Sequence, residues 1–242
     1  MVKKRRIIVF TGFNRAKFSQ MQVGDGHRTN TEEWIQYRFN IWKKYTWQSI
    51  LNQTYWKWDY CLCCDPATRS IVDHYFGKIK DKRFHIMYEE TDHERMIMNM
   101  LAQRCTQIVN VRLDSDDMYH PDAIQELTYA LDNEAYDWFQ WQHGFGYEYC
   151  DGIGVLKKYR PGHKSGPFFA RRFNKGEWLK GTLRMGCQHQ LVKKKNPMIL
   201  SNGKILVGLH GINTSTSLRA KCFKGQIRGP RKTEVLREFK LL

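Results

Sequence analysis

A chain of 242 residues, 41% of them hydrophobic and 14% aromatic, is long enough and apolar enough to bury one sizeable core. No stretch approaches the ~18 consecutive apolar residues of a membrane span, and the apolar run after the basic start is too short for a signal peptide. The seven cysteines are scattered and odd in number, which favours a reducing compartment over a disulfide framework. We therefore expect one cytoplasmic domain, with peripheral association at a membrane as the alternative.

Apolar runs alternate with helical patterns through the first half of the chain. Strands are predicted at "RRIIVFTGF", "DYCLCCD", "FHIMY" and "QIVNVRL". Helices are predicted at "QYRFNIWKKYTWQSILNQTY", from Pro66, at "TDHERMIMNMLAQRC" with a capping box of Thr91 and Glu94, and from Pro121. This alternation predicts an α/β fold with a mainly parallel sheet flanked by helices, and the cysteines of "YCLCCD" are predicted to be buried in it.

After about residue 137 the pattern changes to short aromatic segments punctuated by glycine. These segments predict a mixed, loop-rich C-terminal part of short strands. A helix is predicted there only at "TEVLREFK".

The charge is distributed unevenly along the chain. Residues 153–242 hold 21 Lys or Arg against 3 Asp or Glu, a net +18, whereas residues 1–152 hold 19 against 21, a net −2, and these add up to +16. A half with so few acids is typical of a surface that faces nucleic acid, another phosphate-rich polymer, lipid headgroups or a nucleotide diphosphate. A basic surface that merely aids solubility is the alternative.

Three aspartates follow the fourth strand in "RLDSDDMYHPDAI". In open α/β sheets ligands bind beyond the carboxyl ends of the strands, and Asp114 and Asp116 point to the same side if the extended conformation persists. Converging carboxylates suit Mg²⁺ or Mn²⁺, which can bridge the phosphates of a nucleotide diphosphate. The alternative is that these side chains cap the helix from Pro121, which explains one aspartate well and three poorly.

Together with "TGFN" after the first strand and "WQSILNQTYWKWDYCLCCD" leading into the second, this motif resembles the GT-A-type glycosyltransferases, in particular a bacterial and phage group of rhamnosyltransferase-like proteins. The resemblance covers roughly residues 5–135. It implies one GT-A-like domain over 1–242, with a nucleotide-sugar-binding half at 1–136 and a basic acceptor-side half at 137–242. The implied activity is metal-dependent transfer of a hexosyl or deoxyhexosyl group from a nucleotide diphosphate sugar. The charge adds an anionic acceptor: wall polymer, lipid-linked glycan or phage-type DNA.

The resemblance also implies roles for single residues. Asp116 would be the principal ligand of Mn²⁺ or Mg²⁺, Asp114 would be shared between metal and ribose, and Asp117 would be a third carboxylate. His210 in "LHGINTST" would be a further metal ligand, and a structural histidine with satisfied hydrogen bonds is the alternative. The remaining donor-binding positions that it implies are Thr11, Gly12, Phe13, Asp65, which would pair with a base edge, and Arg112.

The catalytic base is where the sequence departs from the family. Inverting members place an acidic pair late in the fold to take the acceptor proton, and no such pair is present. Glu177, Asp151 and His189 are the candidates, and a surface acid or a packed histidine is the alternative for each. Inversion or retention stays open.

Two other classes of function remain. A nucleotidyltransferase or nuclease would use the aspartates for metal-assisted phosphoryl chemistry and the basic half to track nucleic acid. A binding module would use the aromatic residues Trp138, Trp141, Tyr147 and Tyr149 as a stacking platform, although such alternation is more typical of one buried strand face.

Overall fold

The computed structural model of the protein describes residues 4–15, 22–23, 27–148, 154–161, 166–180, 192, 194–210 and 220–242. The helices in these ranges are α1 (Glu32–Ile41), a π-helical turn (Trp42–Thr46), α2 (Trp47–Leu51), a 3₁₀ turn (Pro66–Thr68), α3 (Arg69–Phe76), α4 (Asp92–Ala102), α5 (Ala123–Ala130), α6 (Lys175–Leu179) and α7 (Gly229–Glu238). The strands are β1 (Arg5–Gly12), β2 (Gln22–Val23), β3 (His27–Arg28), β4 (Trp58–Cys64), β5 (Phe84–Tyr88), β6 (Gln107–Arg112), β7 (Met118–Tyr119), β8 (Trp138–Gln140), β9 (Gly144–Glu148), β10 (Val155–Tyr159), β11 (Phe169–Asn174), β12 (Met198–Ile199), β13 (Ile205–Leu209) and β14 (Phe223–Ile227).

The central sheet has seven strands in the order β12-β8-β11-β6-β1-β4-β5. β1 lies between β4 and β6 and is parallel to both, and β5 continues the parallel arrangement beyond β4. β11 is antiparallel to β6 and to β8, whereas β12 is parallel to β8. The predicted α/β fold with a mainly parallel sheet flanked by helices is confirmed.

A second sheet of five strands, in the order β14-β10-β9-β13-β7, is built mostly from the C-terminal part of the chain. Its edge strand β7 follows directly after the three aspartates, and Leu206 of β13 pairs with Met118 there. The predicted mixed C-terminal part is therefore joined to the segment that carries the aspartate motif.

Alternation along β1 divides the core between the two faces of the central sheet. Ile7 and Val9 belong to one buried cluster, and Ile8 and Phe10 to another on the opposite face. All four are at most 5% exposed, as expected for a parallel strand covered by helices on both sides.

Most predicted elements of the first half are present with small shifts at their ends. The predicted cap of α4 is present, since the Thr91 hydroxyl accepts a hydrogen bond from the Glu94 N–H at 3.2 Å. Cys61, Cys63 and Cys64 are buried free thiols, as predicted. α6 was missed, because a helix of five residues gives too little periodicity to detect, and its Asn174 cap was the available signal. Among the described residues no helix combines the length and the apolarity needed to cross a bilayer.

Candidate active site

The aspartate motif lies at the topological switch point of the central sheet. After β1 the chain builds β4 and β5 on one side and then returns to place β6 on the other, so that the strand order reverses between β1 and β6. Open α/β sheets bind ligands in the crevice beyond the strand ends at such a point. The segment Leu113–Asp117 leaves β6 there, beside the carboxyl end of β1.

A buried chain of hydrogen bonds fixes the start of this segment. The Trp42 indole N–H donates to the Tyr60 hydroxyl at 2.7 Å, and the Thr11 hydroxyl, 2.6 Å from Tyr60, donates to the Leu113 carbonyl at 2.7 Å. Thr11 was predicted to border the nucleoside. Its side chain is fully buried, so the hydroxyl positions the motif from inside the core, and a contact of this residue with a nucleoside stays a prediction.

A buried cluster of Asp116, Arg38 and His210 forms the interior of the site. Arg38 Nη1 lies 2.7 Å from Asp116 Oδ2 and 2.6 Å from His210 Nε2, and Asp116 Oδ2 lies 3.2 Å from the same histidine nitrogen. Arg38, Asp116 and His210 are 5%, 8% and 6% exposed. The Tyr37 hydroxyl lies 3.2 Å from His210 Nδ1, so both ring nitrogens of His210 have polar partners inside the site.

Arg38 also governs the ionisation of this cluster. Burial is the strongest single influence on Asp116 and would raise its pKa, but the Arg38 charge and the contacts with His210 and Arg38 together outweigh burial, and the pKa falls to about 2. Asp116 is therefore ionised at neutral pH, inside a site that is almost closed to solvent.

Asp117 connects the motif to the second sheet. Its Oδ1 accepts a hydrogen bond from the backbone N–H of Gly208 in β13 at 3.0 Å. Burial, together with the charges of Asp116 and Asp114, raises the pKa of Asp117 well above its usual range. The Asp117 side chain therefore links the motif to β13, and its carboxyl group favours the protonated form.

Replacing Asp117 by asparagine should keep the fold. As the pH rises, the variant should become more stable than the parent. The asparagine oxygen can still accept from Gly208, and no charge has to be buried. Because the folded pKa of Asp117 is raised, the parent protein loses stability relative to the variant once the pH passes the ordinary carboxyl pKa near 4, and we expect a difference of about 1 kcal/mol or more at pH 7. Urea unfolding at pH 4 and pH 7 measures it, with the exposed Asp122→Asn as control. A variant that is less stable than the parent at pH 7 but not at pH 4 would show that Asp117 is needed as an ionised carboxylate and would contradict the raised pKa.

Asp114 and Arg112 form a second ion pair at the open side of the site. Arg112 Nη2 lies 2.9 Å from one carboxylate oxygen of Asp114 and 3.0 Å from the other. The Tyr119 hydroxyl donates to the Arg112 carbonyl at 2.8 Å and so anchors this backbone. The Asp114 side chain is 36% exposed, so this pair, unlike that of Asp116, is accessible to a ligand.

The residues of the site do not fit a divalent metal ion as they are arranged here. The part of the chain that the structure describes contains no group of three His, Cys, Asp or Glu side chains placed to hold a metal. Asp116 Oδ2 and His210 Nε2 both contact Arg38 Nη1, and an ion that binds both of these atoms would have to displace the guanidinium. The metal site predicted from the sequence therefore stays a prediction.

The other predicted donor-binding residues line the ends of β1 and β4. Gly12 lies close to Arg15, since a Cβ at Gly12 would be 2.7 Å from the Arg15 Cδ. Phe13 is buried edge-on against Trp34 and Phe76. Asp65 is 5% exposed, and its Oδ1 accepts from the Ala67 N–H at 2.9 Å, which caps the 3₁₀ turn. Capping occupies one Asp65 oxygen, and contact of the other with a base stays a prediction.

The structure does not bring the candidate base Glu177 near the aspartate motif. β11 runs antiparallel to β6 and pairs Asn174 with Gln107, so α6 begins at the amino end of β6. At about 3.3 Å per residue, Glu177 is then roughly 20 Å from the Asp114 end of that strand. Its carboxylate also accepts a hydrogen bond from Arg171. Asp151 and His189 lie outside the described residues.

The aromatic platform of the binding-module alternative is mostly buried. Trp138 is 7% exposed and Trp141 is fully buried, with its indole N–H donating to Glu126 at 3.1 Å. Tyr147 is half-buried, and Tyr149 lies outside the described residues. Trp138 and Trp141 are core residues and offer no stacking surface.

No protein-family model and no curated protein matches the chain. Among solved structures, the chain is similar to S. aureus TarS 1–349 in complex with UDP, at 12% identity and a TM-score of 0.42, over 98% of this chain and 64% of that one. It is also similar to Rv0371C in complex with manganese from Mycobacterium tuberculosis H37Rv (12% identity, TM-score 0.35, 86% of this chain and 88% of that one). A third is the 2-C-methyl-D-erythritol 4-phosphate cytidylyltransferase IspD of Francisella tularensis (9% identity, TM-score 0.40, 88% and 94%).

The chain thus spans less than two thirds of the TarS chain bound to UDP. All three TM-scores are below 0.5, a level at which overall arrangements agree only loosely. The α/β architecture itself is established by the strand order and the parallel pairing of β6, β1, β4 and β5.

Proposed function

We propose that this protein is a GT-A-type glycosyltransferase that moves a sugar from a nucleotide diphosphate sugar to an acceptor hydroxyl. The observation that carries the proposal is the convergence of two ion pairs, Asp116 with Arg38 and Asp114 with Arg112, at the switch point between β1 and β6. One of the three segments that carry the sequence resemblance to GT-A-type enzymes, "RLDSDDMYHPDAI", lies at this point.

The accessible pair is suited to hold the donor. A guanidinium binds phosphate oxygens through paired N–H donors, so Arg112 can contact the diphosphate, while the Asp114 carboxylate can accept a hydrogen bond from a ribose hydroxyl. Arg38 adds a second positive charge behind Asp116. Two cations close to the diphosphate would stabilise the negative charge that grows on it as it leaves.

The reaction itself is a group transfer between two oxygens. The acceptor oxygen forms a bond to the anomeric carbon of the sugar, and the bond from that carbon to the diphosphate oxygen breaks. The electron pair stays on the departing nucleotide diphosphate, and the acceptor proton passes to a base that the described residues do not identify.

The finer features of the proposal come from the sequence. They are a hexosyl or deoxyhexosyl group, an anionic acceptor held by the basic half at 137–242, and Mn²⁺ or Mg²⁺ as cofactor. When bound, such an ion would neutralise diphosphate charge, a role for which Arg38 and Arg112 already supply cations.

Calorimetric titration with UDP, GDP and TDP, each with Mn²⁺ and with EDTA, tests the donor site. We expect one nucleotide to bind, and Arg112→Gln to weaken it about tenfold or more, because a charged hydrogen bond is worth ~1.5–3 kcal/mol. Arg95→Gln, which removes an exposed arginine from α4, is the matched control and should bind as the parent does. Failure of all three nucleotides to bind would refute the proposal, and binding of nucleoside triphosphates alone would favour a nucleotidyltransferase.

A further inference from the structure

A second charged cleft lies at the opposite edge of the central sheet. Its lining comes from the amino ends of four parallel strands: residues 4–6 at β1, 55–59 at β4, 82–83 before β5 and 103–105 before β6. Its volume is about 430 Å³. Because parallel strands present their amino and carboxyl ends at opposite edges, this cleft is separated from the aspartate motif by the length of the sheet, roughly 20 Å.

Seven of the thirteen residues that line the cleft are Lys or Arg. Three of these form ion pairs, Arg5 with Asp132, Arg6 with Asp59 and Arg83 with Asp81. The other four, Lys4, Lys57, Lys82 and Arg104, form no ion pair with any carboxylate of the described chain. Four cations outside any ion pair within the described chain, from four chain segments, therefore converge on one cleft.

Arg104 occupies its place at a conformational cost. It is the second residue after the end of α4, and its φ of 57° is in the left-handed region where helices usually carry glycine. A non-glycine residue held in this region is a reason to look for a function of its side chain. Here the side chain adds a positive charge to the cleft.

Trp56 gives the cleft an exposed aromatic face. It is 66% exposed, whereas Trp34, Trp42, Trp47, Trp58, Trp138, Trp141 and Trp178 are at most 7% exposed. The segment that carries Trp56 is held in place, because Arg83, itself paired with Asp81, donates to the Trp56 carbonyl at 3.2 Å. Lys57 Nζ lies 5.4 Å from the centre of the Trp56 ring.

We propose that this cleft binds single-stranded nucleic acid, with phosphates on its lysines and arginines and a base stacked on Trp56. Sites for single strands combine a positively charged groove with aromatic side chains, because every base has a face that can stack. A polyphosphate without bases would bind the lysines and arginines but would make no use of the exposed Trp56 indole. A lipid surface would call for several exposed apolar residues beside Trp56, and the cleft lining offers none in addition.

The test uses a fluorescein-labelled oligothymidylate of about 20 nucleotides and an abasic strand of the same length, with binding followed by fluorescence anisotropy. Trp56→Ala should weaken binding of the oligothymidylate about fivefold or more, since stacking is worth ~1–3 kcal/mol per base, and should leave binding of the abasic strand unchanged. Tyr129→Ala, at a tyrosine 71% exposed on α5, is the matched control and should change neither.

Charge is tested by the double variant Lys57→Gln/Lys82→Gln. The matched control is Lys43→Gln/Lys44→Gln, which removes two exposed lysines outside the cleft, and Lys194→Gln/Lys195→Gln tests the basic C-terminal half as the rival site. The cleft variant should bind less tightly, and its slope of log affinity against log salt should fall by roughly 0.7 for each phosphate that is no longer neutralised. The Lys43/Lys44 variant should keep the parent affinity and slope, and the Lys194/Lys195 variant should lose less affinity than the cleft variant. Arg104→Gly should raise the melting temperature and still weaken binding, a combination that general destabilisation cannot produce.

Three results would overturn the proposal. Equal binding of the abasic and thymidylate strands would make Trp56 irrelevant, and a larger loss in the C-terminal double variant would move the polyanion site to that half. Binding of vesicles with about 30% phosphatidylserine, but not of oligothymidylate, would identify a membrane surface as the partner. Titration of the same variants with UDP, GDP and TDP separates this cleft from the donor site, because nucleotide diphosphate affinity should not change in any of them.

Discussion

Replacing Arg38 by methionine should lower the free energy of unfolding by about 3 to 5 kcal/mol, because the change leaves Asp116 as a buried charge without its main partner. Arg38 and Asp116 are 5% and 8% exposed, so water cannot take the place of the guanidinium. Arg95→Met on α4, at an arginine whose side chain is 74% exposed, is the matched control and should change stability by less than about 0.5 kcal/mol.

Urea unfolding at pH 7 measures the loss, and the double variant Arg38→Met/Asp116→Leu isolates its cause. Removing both charges should restore most of the stability, since a buried ion pair and an apolar pair of similar size are often equivalent. The pH dependence gives a second readout. The pKa of Asp116 is lowered to about 2, so the pair stabilises the parent above the ordinary carboxyl pKa near 4, and this stabilisation is lost as the pH falls toward 2. A loss below about 1 kcal/mol in Arg38→Met would mean that the pair does not form as described.

Arg38 shows why the interior of the site could not be predicted from the sequence. The segment of α1 was predicted as an apolar stripe, and Arg38 lies on its buried face, one turn after Trp34. An arginine four residues after one buried aromatic and four before another was the available signal. A sequence pattern predicts that such an arginine is exposed. The partners that stabilise it in the core, Asp116 and His210, lie 78 and 172 positions further along the chain and contact it only in the folded protein.

The position of the aspartate motif could be predicted because it depends on local patterns. Strands read from apolar runs, with helices between them, specify a parallel sheet, and the carboxyl end of β6 then follows from the sequence "QIVNVRL". The partners of each aspartate depend on contacts between distant segments. Asp114, Asp116 and Asp117 therefore have three different environments: an accessible ion pair, a buried ion pair and a bond to the backbone of β13.

The basic cleft was missed for a related reason. Charge was summed along the chain, and residues 1–152 carry a net −2. The folded sheet gathers the cations of residues 4–6, 57, 82–83 and 104 at one edge and leaves most acids of that half elsewhere. A segment whose positive and negative residues nearly cancel can therefore still form a strongly basic cleft once it is folded.

Replacing Asp116 by asparagine should reduce the release of nucleotide diphosphate from the donor sugar at least about a hundredfold, the cost of losing one preorganised charge at a reacting centre. Asparagine matches aspartate in shape but leaves the buried Arg38 charge without its counterion at 2.7 Å, so we expect the variant to lose about 3 to 5 kcal/mol of stability, as Arg38→Met does. Release is therefore compared under conditions in which urea unfolding shows both proteins to be folded. Release is measured with the sugar donor of whichever nucleotide binds in calorimetry, with water as acceptor. Asp122→Asn, five residues after Asp117 and half-exposed, is the matched control and should retain the parent rate.

The same variant decides what Asp116 does. If Asp116 orients Arg38, the asparagine variant should bind the nucleotide diphosphate at least as tightly as the parent in EDTA, because the Arg38 charge is no longer neutralised, while release is lost. If Asp116 is a metal ligand, as the sequence resemblance implies, Mn²⁺ should strengthen nucleotide binding in the parent, and this gain should vanish in the variant. A variant that releases nucleotide diphosphate within threefold of the parent would exclude both roles and would move the reacting centre away from Asp116, toward the accessible pair of Asp114 and Arg112.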